Sequence, residues 1–328
     1  MGEALDGLAF ETVTGPGMED PPFDRRALPA EAKLSVFTVA DGWRLRRVDW
    51  TQAEGAKPRG SLLFAGGRGD FIEKYLEIQH HWFARGWNVT AFDWRGQGGS
   101  RAGVEGAAAD SFDAMAGDLA ALVSEWRARF APPHAALGHS MGGHLLLRGL
   151  ADRALDVDAA VLVAPMLAIN SAPLPPLAAM ATASLMNAIG FGSHPAWHQA
   201  ATPAPAGSLR QSILTGCAER YEDELWWWKR EPGYNLGAPT WAWLRAAYES
   251  GTHLTAERLA GVQTPVLLVG TDSDRLVSAS AIRRAALDLP HAELLMFPKS
   301  GHEILRERDE IRLAALARID AFLDEQAK

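Results

Sequence analysis

The chain has 328 residues, 48% hydrophobic and 22% charged, enough apolar material for a large domain with a buried core. Its formal charge of −8 supplies no general electrostatic drive toward nucleic acid or anionic lipid. Cys217 is the only cysteine, so no intrachain disulfide can staple the fold, and a reducing, cytoplasmic setting is expected.

Residues 1–33 hold Pro16, Pro21, Pro22 and Pro29 with little periodicity and are predicted to be an irregular lead-in. The first residues include acidic side chains and no basic stretch ahead of an apolar core, so they do not read as a signal peptide. Nor does any apolar run approach the ~20 residues needed to span a bilayer. Strands are predicted at 35–39 and 45–50, near-alternating and linked through Asp41-Gly42, which suggests an antiparallel hairpin. Further strands at 61–64, 88–92, 135–137, 159–163, 265–269 and 292–297 are nearly all apolar, as strands buried on both faces of a parallel sheet should be.

Helices are expected between them, over 72–85, from 140 onward and over 309–324. The clearest is carried by Phe112, Met115, Leu119, Leu122, Val123, Trp126 and Phe130, which recur at spacings of three and four. Strands alternating with helices imply an α/β fold, an eight-stranded and mostly parallel sheet flanked by helices. The expected core spans 34–165 and 261–328. Between them, over 166–260, the alternation breaks into clustered prolines, Trp197, the run Trp226-Trp227-Trp228, Trp241 and Trp243. That stretch is predicted to be an inserted helical lid.

Gly138-His139-Ser140-Met141-Gly142 fits G-x-S-x-G, with an apolar strand leading in and a helical pattern leading out. This is the setting of a nucleophile elbow, where a strained turn lifts the serine hydroxyl clear of the sheet's carboxyl edge. A serine needs a base to take its proton. His139 adjoins Ser140 and should point away from it, and His144 lies within the helix, so both are expected to be packing or surface residues. This architecture supplies its partners in the order serine, acid, histidine from loops after later strands. His302 follows the last predicted strand and is the candidate base, and Asp272 and Asp274 follow the one before it. Residues 66–70, Gly-Gly-Arg-Gly-Asp, follow the third strand, so Arg68 and Met141 are the expected backbone donors of an oxyanion hole. The glycine-rich turn at 96–99 lacks a complete G-x-G-x-x-G and reads as structural. No Walker motif, HExxH or Cys/His cluster is present, so no metal or other cofactor is inferred.

From about residue 35 onward the chain resembles the α/β-hydrolase superfamily, and within it the bacterial lysophospholipase and monoacylglycerol lipase branch. The resemblance rests on Gly67-Arg68 with Tyr75, on Asp93-Trp94-Arg95-Gly96-Gln97-Gly98-Gly99-Ser100, and on Gly138-His139-Ser140-Met141-Gly142-Gly143. It continues through residues 237–243, Asp274-Arg275-Leu276-Val277 and Gly301-His302-Glu303-Ile304-Leu305. It favours Asp274 over Asp272 as the acid, because in such families the acid precedes a short basic-apolar run. It implies a serine carboxylic-ester hydrolase acting through an acyl-enzyme on lysophospholipids or monoacylglycerols, with Ser140, Asp274 and His302 as the triad. Gly67, Trp227 and Trp243 are the candidate substrate-lining residues, although the Trp226–Trp228 run has no counterpart in the family pattern. A tryptophan-rich lid suits peripheral contact with the inner face of a membrane. The same triad would also serve a small ester, lactone, thioester or peptide, and the reading from another class is a ligand-sensing protein on a hydrolase scaffold.

Overall fold

The computed structural model describes residues 23–104, 108–198 and 203–326, so most of the expected lead-in over 1–33 lies outside the described residues. The eight strands are β1 (Ala32–Thr38), β2 (Arg44–Trp50), β3 (Gly60–Ala65), β4 (Trp87–Phe92), β5 (His134–His139), β6 (Ala159–Val163), β7 (Val266–Thr271) and β8 (Ala292–Phe297). They form one sheet in the order β1-β2-β4-β3-β5-β6-β7-β8. β1 and β2 make the expected antiparallel hairpin, β2 runs antiparallel to β4, and all later neighbours are parallel.

Among the described residues ten α-helices accompany the sheet: α1 (Leu76–Phe83), α2 (Phe112–Arg129), α3 (Met141–Ala151), α4 (Pro176–Met186), α5 (Leu209–Leu214), α6 (Ala218–Arg230), α7 (Trp241–Gly251), α8 (Ala256–Ala260), α9 (Ala279–Asp288) and α10 (Asp309–Gln326). The helix expected over 72–85 is shorter than its pattern, because Ile72–Tyr75 winds as a 3₁₀ turn before α1.

Successive strand side chains point to opposite faces, and the sheet therefore builds two cores. Leu63, Ala65 and Ala136 pack with α2, α3 and α9 through residues such as Leu119, Leu146 and Ile282. Leu62, Phe64, Ala135 and Leu137 pack on the other face with α1 and α10 through Leu76, Trp82, Ile319 and Phe322. That is why β3 to β7 are buried throughout their length while β1, at the edge, alternates.

The chain leaves β3 for β4 on one side and returns to β5 on the other, so β3 and β5 are neighbours whose following loops diverge. A crevice outside the carboxyl ends of the strands at such a reversal is where open α/β sheets bind ligands. Helices α4 to α8 all lie between β6 and β7, and α5, α6 and α7 contribute residues to the cavity at this edge.

Candidate active site

Ser140 sits between the end of β5 and the start of α3 with φ 51° and ψ −113°. A non-glycine residue in that region is strained by about 1–3 kcal/mol, and such strain persists only where the surroundings enforce it. Here the Ser140 N–H donates to the Val163 carbonyl at 3.0 Å, and the Ser140 carbonyl accepts from His144 and Met166. The flanking glycines are needed because backbones meet. A Cβ on Gly138 would lie 2.6 Å from the Gly143 nitrogen, and one on Gly142 would lie 2.2 Å from the Ala65 oxygen.

His302 follows β8 and is buried, its Nδ1 2.7 Å from Asp274 Oδ2. The other Asp274 oxygen accepts from the Leu276 and Val277 N–H groups at 2.8 and 3.0 Å, which fixes the carboxylate's orientation. Burial raises the Asp274 pKa, but the imidazole and these hydrogen bonds outweigh it and hold the carboxyl below its usual value. The carboxylate is thus ionised at neutral pH, Nδ1–H donates to it, and Nε2 is the nitrogen left for the cavity that His302 and Ser140 both line. Burial disfavours the charged imidazole, yet Asp274 raises the His302 pKa above the ordinary histidine value. Asp272, the competing acid, is instead turned outward onto Arg283 at 2.6 Å.

The loop after β3 presses on the serine. A Cβ on Gly67 would lie 3.0 Å from the Ser140 Cβ, tighter than an ordinary contact, so glycine eases this approach. Within the loop, Gly67 N–H donates to Asp70 Oδ2 at 2.6 Å, Gly69 N–H to Gln97 Oε1 at 2.6 Å, and Asp70 N–H to the Gly67 carbonyl. The Arg68 N–H has no acceptor among the described residues, and neither does that of Met141 in the first turn of α3. Gln97 was not singled out by its sequence motif. The turn over 93–100 is anchored by Asp93, which accepts from Ile72 N–H and Gly99 N–H at 2.8 and 2.7 Å, and its Gln97 holds the Arg68 loop in place.

The two neighbouring histidines have other partners. His144 is fully buried with Nε2 2.6 Å from Ser250 Oγ, and burial followed by the Arg148 charge pushes its pKa down to about 3. It is a neutral packing residue. His139 does not turn away from the site: its Nδ1 lies 2.8 Å from Asp70 Oδ2 and 3.0 Å from the Tyr75 hydroxyl, and its ring is 5.0 Å from that of His302. It forms part of the cavity wall.

The cavity measures about 670 Å³. Its lower wall carries Gly67, Arg68, Ser140 and His302, and its upper wall comes from the segment between β6 and β7, including Ile213, Leu214, Trp228 and Trp243. Trp227, expected to line it, is placed elsewhere: its indole N–H donates to the Arg25 carbonyl at 3.0 Å and its ring packs in the second core. One residue along a helix turns the side chain by about 100°, and Trp228 lines the cavity in its stead. Among the described residues no group of three His, Cys, Asp or Glu is placed to hold a metal ion.

The chain matches the family profile Hydrolase_4, described as serine aminopeptidase, S33, over residues 56–309. It belongs to this family. Similar proteins include "Probable lysophospholipase L2" of Haemophilus influenzae, 25% identical over 275 residues that cover 82% of this chain and 85% of that one. "Lysophospholipase L2" of Escherichia coli K12 is 28% identical over 287 residues, 80% of each chain. Among solved structures, a soluble variant of the monoglyceride lipase of Saccharomyces cerevisiae with a substrate analogue superposes with a TM-score of 0.70 over 93% of this chain and 99% of that one. At 17% identity that likeness concerns the fold, and it agrees with the expected α/β-hydrolase architecture of this serine hydrolase.

Proposed function

We propose that the protein is a serine carboxylic-ester hydrolase that works through an acyl-enzyme on single-chain lipid esters, lysophospholipids or monoacylglycerols. The observation that carries the reading is a convergence at one cavity. A serine in a strained elbow and a histidine clamped by an ionised aspartate both line it, beside the Arg68 loop, and the N–H groups of Arg68 and Met141 have no acceptor among the described residues. Ser140 attacks the ester carbonyl as His302 Nε2 takes its proton, and the Arg68 and Met141 amides receive the oxyanion. His302 then protonates the departing alcohol, activates water and releases the fatty acid, while Asp274 holds its tautomer and stabilises the imidazolium.

The lipid assignment rests on the names of the relatives and on the wall chemistry. Met166, Ile169, Ile213, Leu214, Leu276 and Val277 give the cavity an apolar side fit for an acyl chain. A peptide substrate held by its terminal amine, as the family description suggests, needs an uncommitted carboxylate. The cavity carboxylates are already engaged: Asp70 and Glu303 hold Lys74 at 2.8 and 2.6 Å, and Glu224 holds Arg210 at 2.9 Å.

The segment over 166–260 acts in this reading as a lid that also meets the lipid surface. Between Asp158 and Arg210 the sequence has no Asp, Glu, Lys or Arg. Leu174, Leu177, Leu185, Ile189, Phe191 and Trp197 are exposed along it. No helix among the described residues is long and apolar enough to cross a membrane, so the contact is peripheral.

A panel of purified esters tests the function: lysophospholipid, monoacylglycerol, short-chain ester and aminoacyl amide, each with Ser140→Ala as control. Long-chain lipid esters should be the best substrates, and the variant should lose activity by on the order of 10⁶. Substantial esterase activity in Ser140→Ala, or a preference for the aminoacyl amide, would overturn the reading.

A further inference from the structure

Among the described residues six charged side chains line the cavity, and five of them are paired with one another: Asp70, Lys74, Glu303, Arg210 and Glu224. Arg68 is the exception. Its Nη1 donates to the Gly237 carbonyl at 2.9 Å and its guanidinium lies over the Trp243 ring, 5.2 Å from the centroid. Among the described residues its buried Nε finds no acceptor and its Nη2 makes no hydrogen bond. No described carboxylate is within ion-pair distance. Asp110, whose charge reaches Arg68, already accepts from Thr240 Oγ1 at 2.9 Å. Burial, only partly offset by the Asp110 charge, holds the Arg68 guanidinium down to about 10, so it is still a cation at neutral pH.

An enclosed cation with open donors is costly unless an anion joins it. The planar fork of arginine fits phosphate oxygens, and its contacts with the Trp243 ring and the Gly237 carbonyl restrict its position in advance. Its place relative to the reacting atoms is specific. In the mechanism proposed above the backbone N–H of Arg68 holds the ester oxygen, and the guanidinium stands at the other end of the same residue. In a lysophospholipid, the ester carbonyl carbon and the phosphorus are separated by as many bonds as the backbone nitrogen and the guanidinium carbon of arginine.

We propose that Arg68 is a specificity residue: its guanidinium holds the phosphodiester of a lysophospholipid while its N–H holds the ester oxygen of the same molecule. This rests on the ester-hydrolase reading above and divides its two lipid classes, since a monoacylglycerol offers the guanidinium no anion.

The test compares wild type, Arg68→Met and Arg68→Lys on lysophosphatidylcholine and a monoacylglycerol with the same acyl chain, both kept monomeric. The ratio of their kcat/KM values should fall at least about tenfold in Arg68→Met, the size of one charge-assisted hydrogen bond, and less in Arg68→Lys. Damage to the oxyanion loop would lower both substrates together, so an unchanged ratio overturns the inference. In a second arm, glycerophosphocholine and inorganic phosphate are titrated calorimetrically into Ser140→Ala protein with and without Arg68→Met. Glycerophosphocholine should bind at least tenfold more weakly to the double variant. Absent or equal binding overturns the proposal, and inorganic phosphate binding as tightly as glycerophosphocholine overturns the substrate assignment. Arg68-dependent binding in a protein whose wild type cleaves neither ester would leave this site standing and sink the hydrolase reading.

Discussion

Asp274 does two separable jobs, one for each carboxylate oxygen. Oδ1 accepts the Leu276 and Val277 N–H groups and shapes its own loop, while Oδ2 faces His302. Asparagine keeps an oxygen for the first job and loses the charge needed for the second. Asp274→Asn should therefore fold, with turnover reduced by about 10³–10⁴, the cost of the equivalent change in a serine protease. The pH profile gives a stricter test. The base must be neutral to act, so kcat/KM rises as pH passes upward through the His302 pKa. Burial alone would depress that value, and Asp274 raises it above 6.5. The acid limb of the wild type should accordingly lie above 6.5, and in Asp274→Asn it should move to lower pH. A limb that stays in place in the variant would show that another group sets it. Ser140 and His302 could be picked out from sequence because their signals are local: a glycine-framed elbow and a loop following a strand. The choice of Asp274 over Asp272 rests on resemblance; in the structure Asp274 meets His302 and Asp272 pairs with Arg283.

The strands were the most legible elements. A parallel strand buried on both faces must be largely apolar, and β3 to β7 are buried throughout and mostly apolar, with polar residues such as Ser61, Asn88, Thr90 and His134 among them. The segment between β6 and β7 was legible only as a break in that pattern. Its aromatic residues carry no clean helical period, so the sequence could not say which tryptophan of 226–228 faces the cavity. Gln97 was missed for a related reason: its partner, the Gly69 N–H, lies 28 residues away in another loop. Within the insertion, α5 is tied down because its Ile213 and Leu214 carbonyls accept from the His302 and Glu303 N–H groups at 3.0 and 2.8 Å. α4 is held differently. Ala179 and Ala183 face inward, and Leu177 and Leu185, two positions away from each, are 82% and 60% exposed. If that outward face meets the lipid surface, charging it should weaken the contact. Leu177→Glu with Leu185→Glu should lower recovery with floated liposomes at least about tenfold, given about 1.5–3 kcal/mol for each leucine fully removed from water. The variant should lose more turnover on vesicle-borne substrate than on a monomeric ester. Wild-type protein that fails to float with liposomes would refute membrane contact outright.

Across the whole molecule, the sheet and the insertion are joined by a buried ionic cluster beside the catalytic site. Lys74, just before α1, meets Glu303 at 2.6 Å across 229 residues of sequence, and Asp70 at 2.8 Å. Glu303 also pairs with Arg306, and Lys74 and Arg306 each reach Glu224 of α6 at 3.5 Å, which in turn holds Arg210 of α5. No sequence pattern announces such a cluster, because charged residues this far apart show no periodicity and each alone reads as a solvated surface group. Removing one member of a buried, balanced set leaves its partner uncompensated. Glu303→Gln should therefore destabilise the fold at neutral pH by on the order of 3 kcal/mol. Burial would raise the Glu303 pKa, but Lys74 and Arg306 prevail and hold it at about 2, below the 4.5 of an ordinary glutamate. Because the folded value is the lower one, its stabilisation is complete above the ordinary glutamate range and drains away as pH falls through about 2. Wild type should thus lose stability steeply between about 4.5 and about 2, and Glu303→Gln should show a shallower slope across that window from a lower starting point. Urea unfolding at a series of pH values measures both quantities. Equal stability at neutral pH with parallel acid slopes would show that the cluster does not hold the insertion to the sheet.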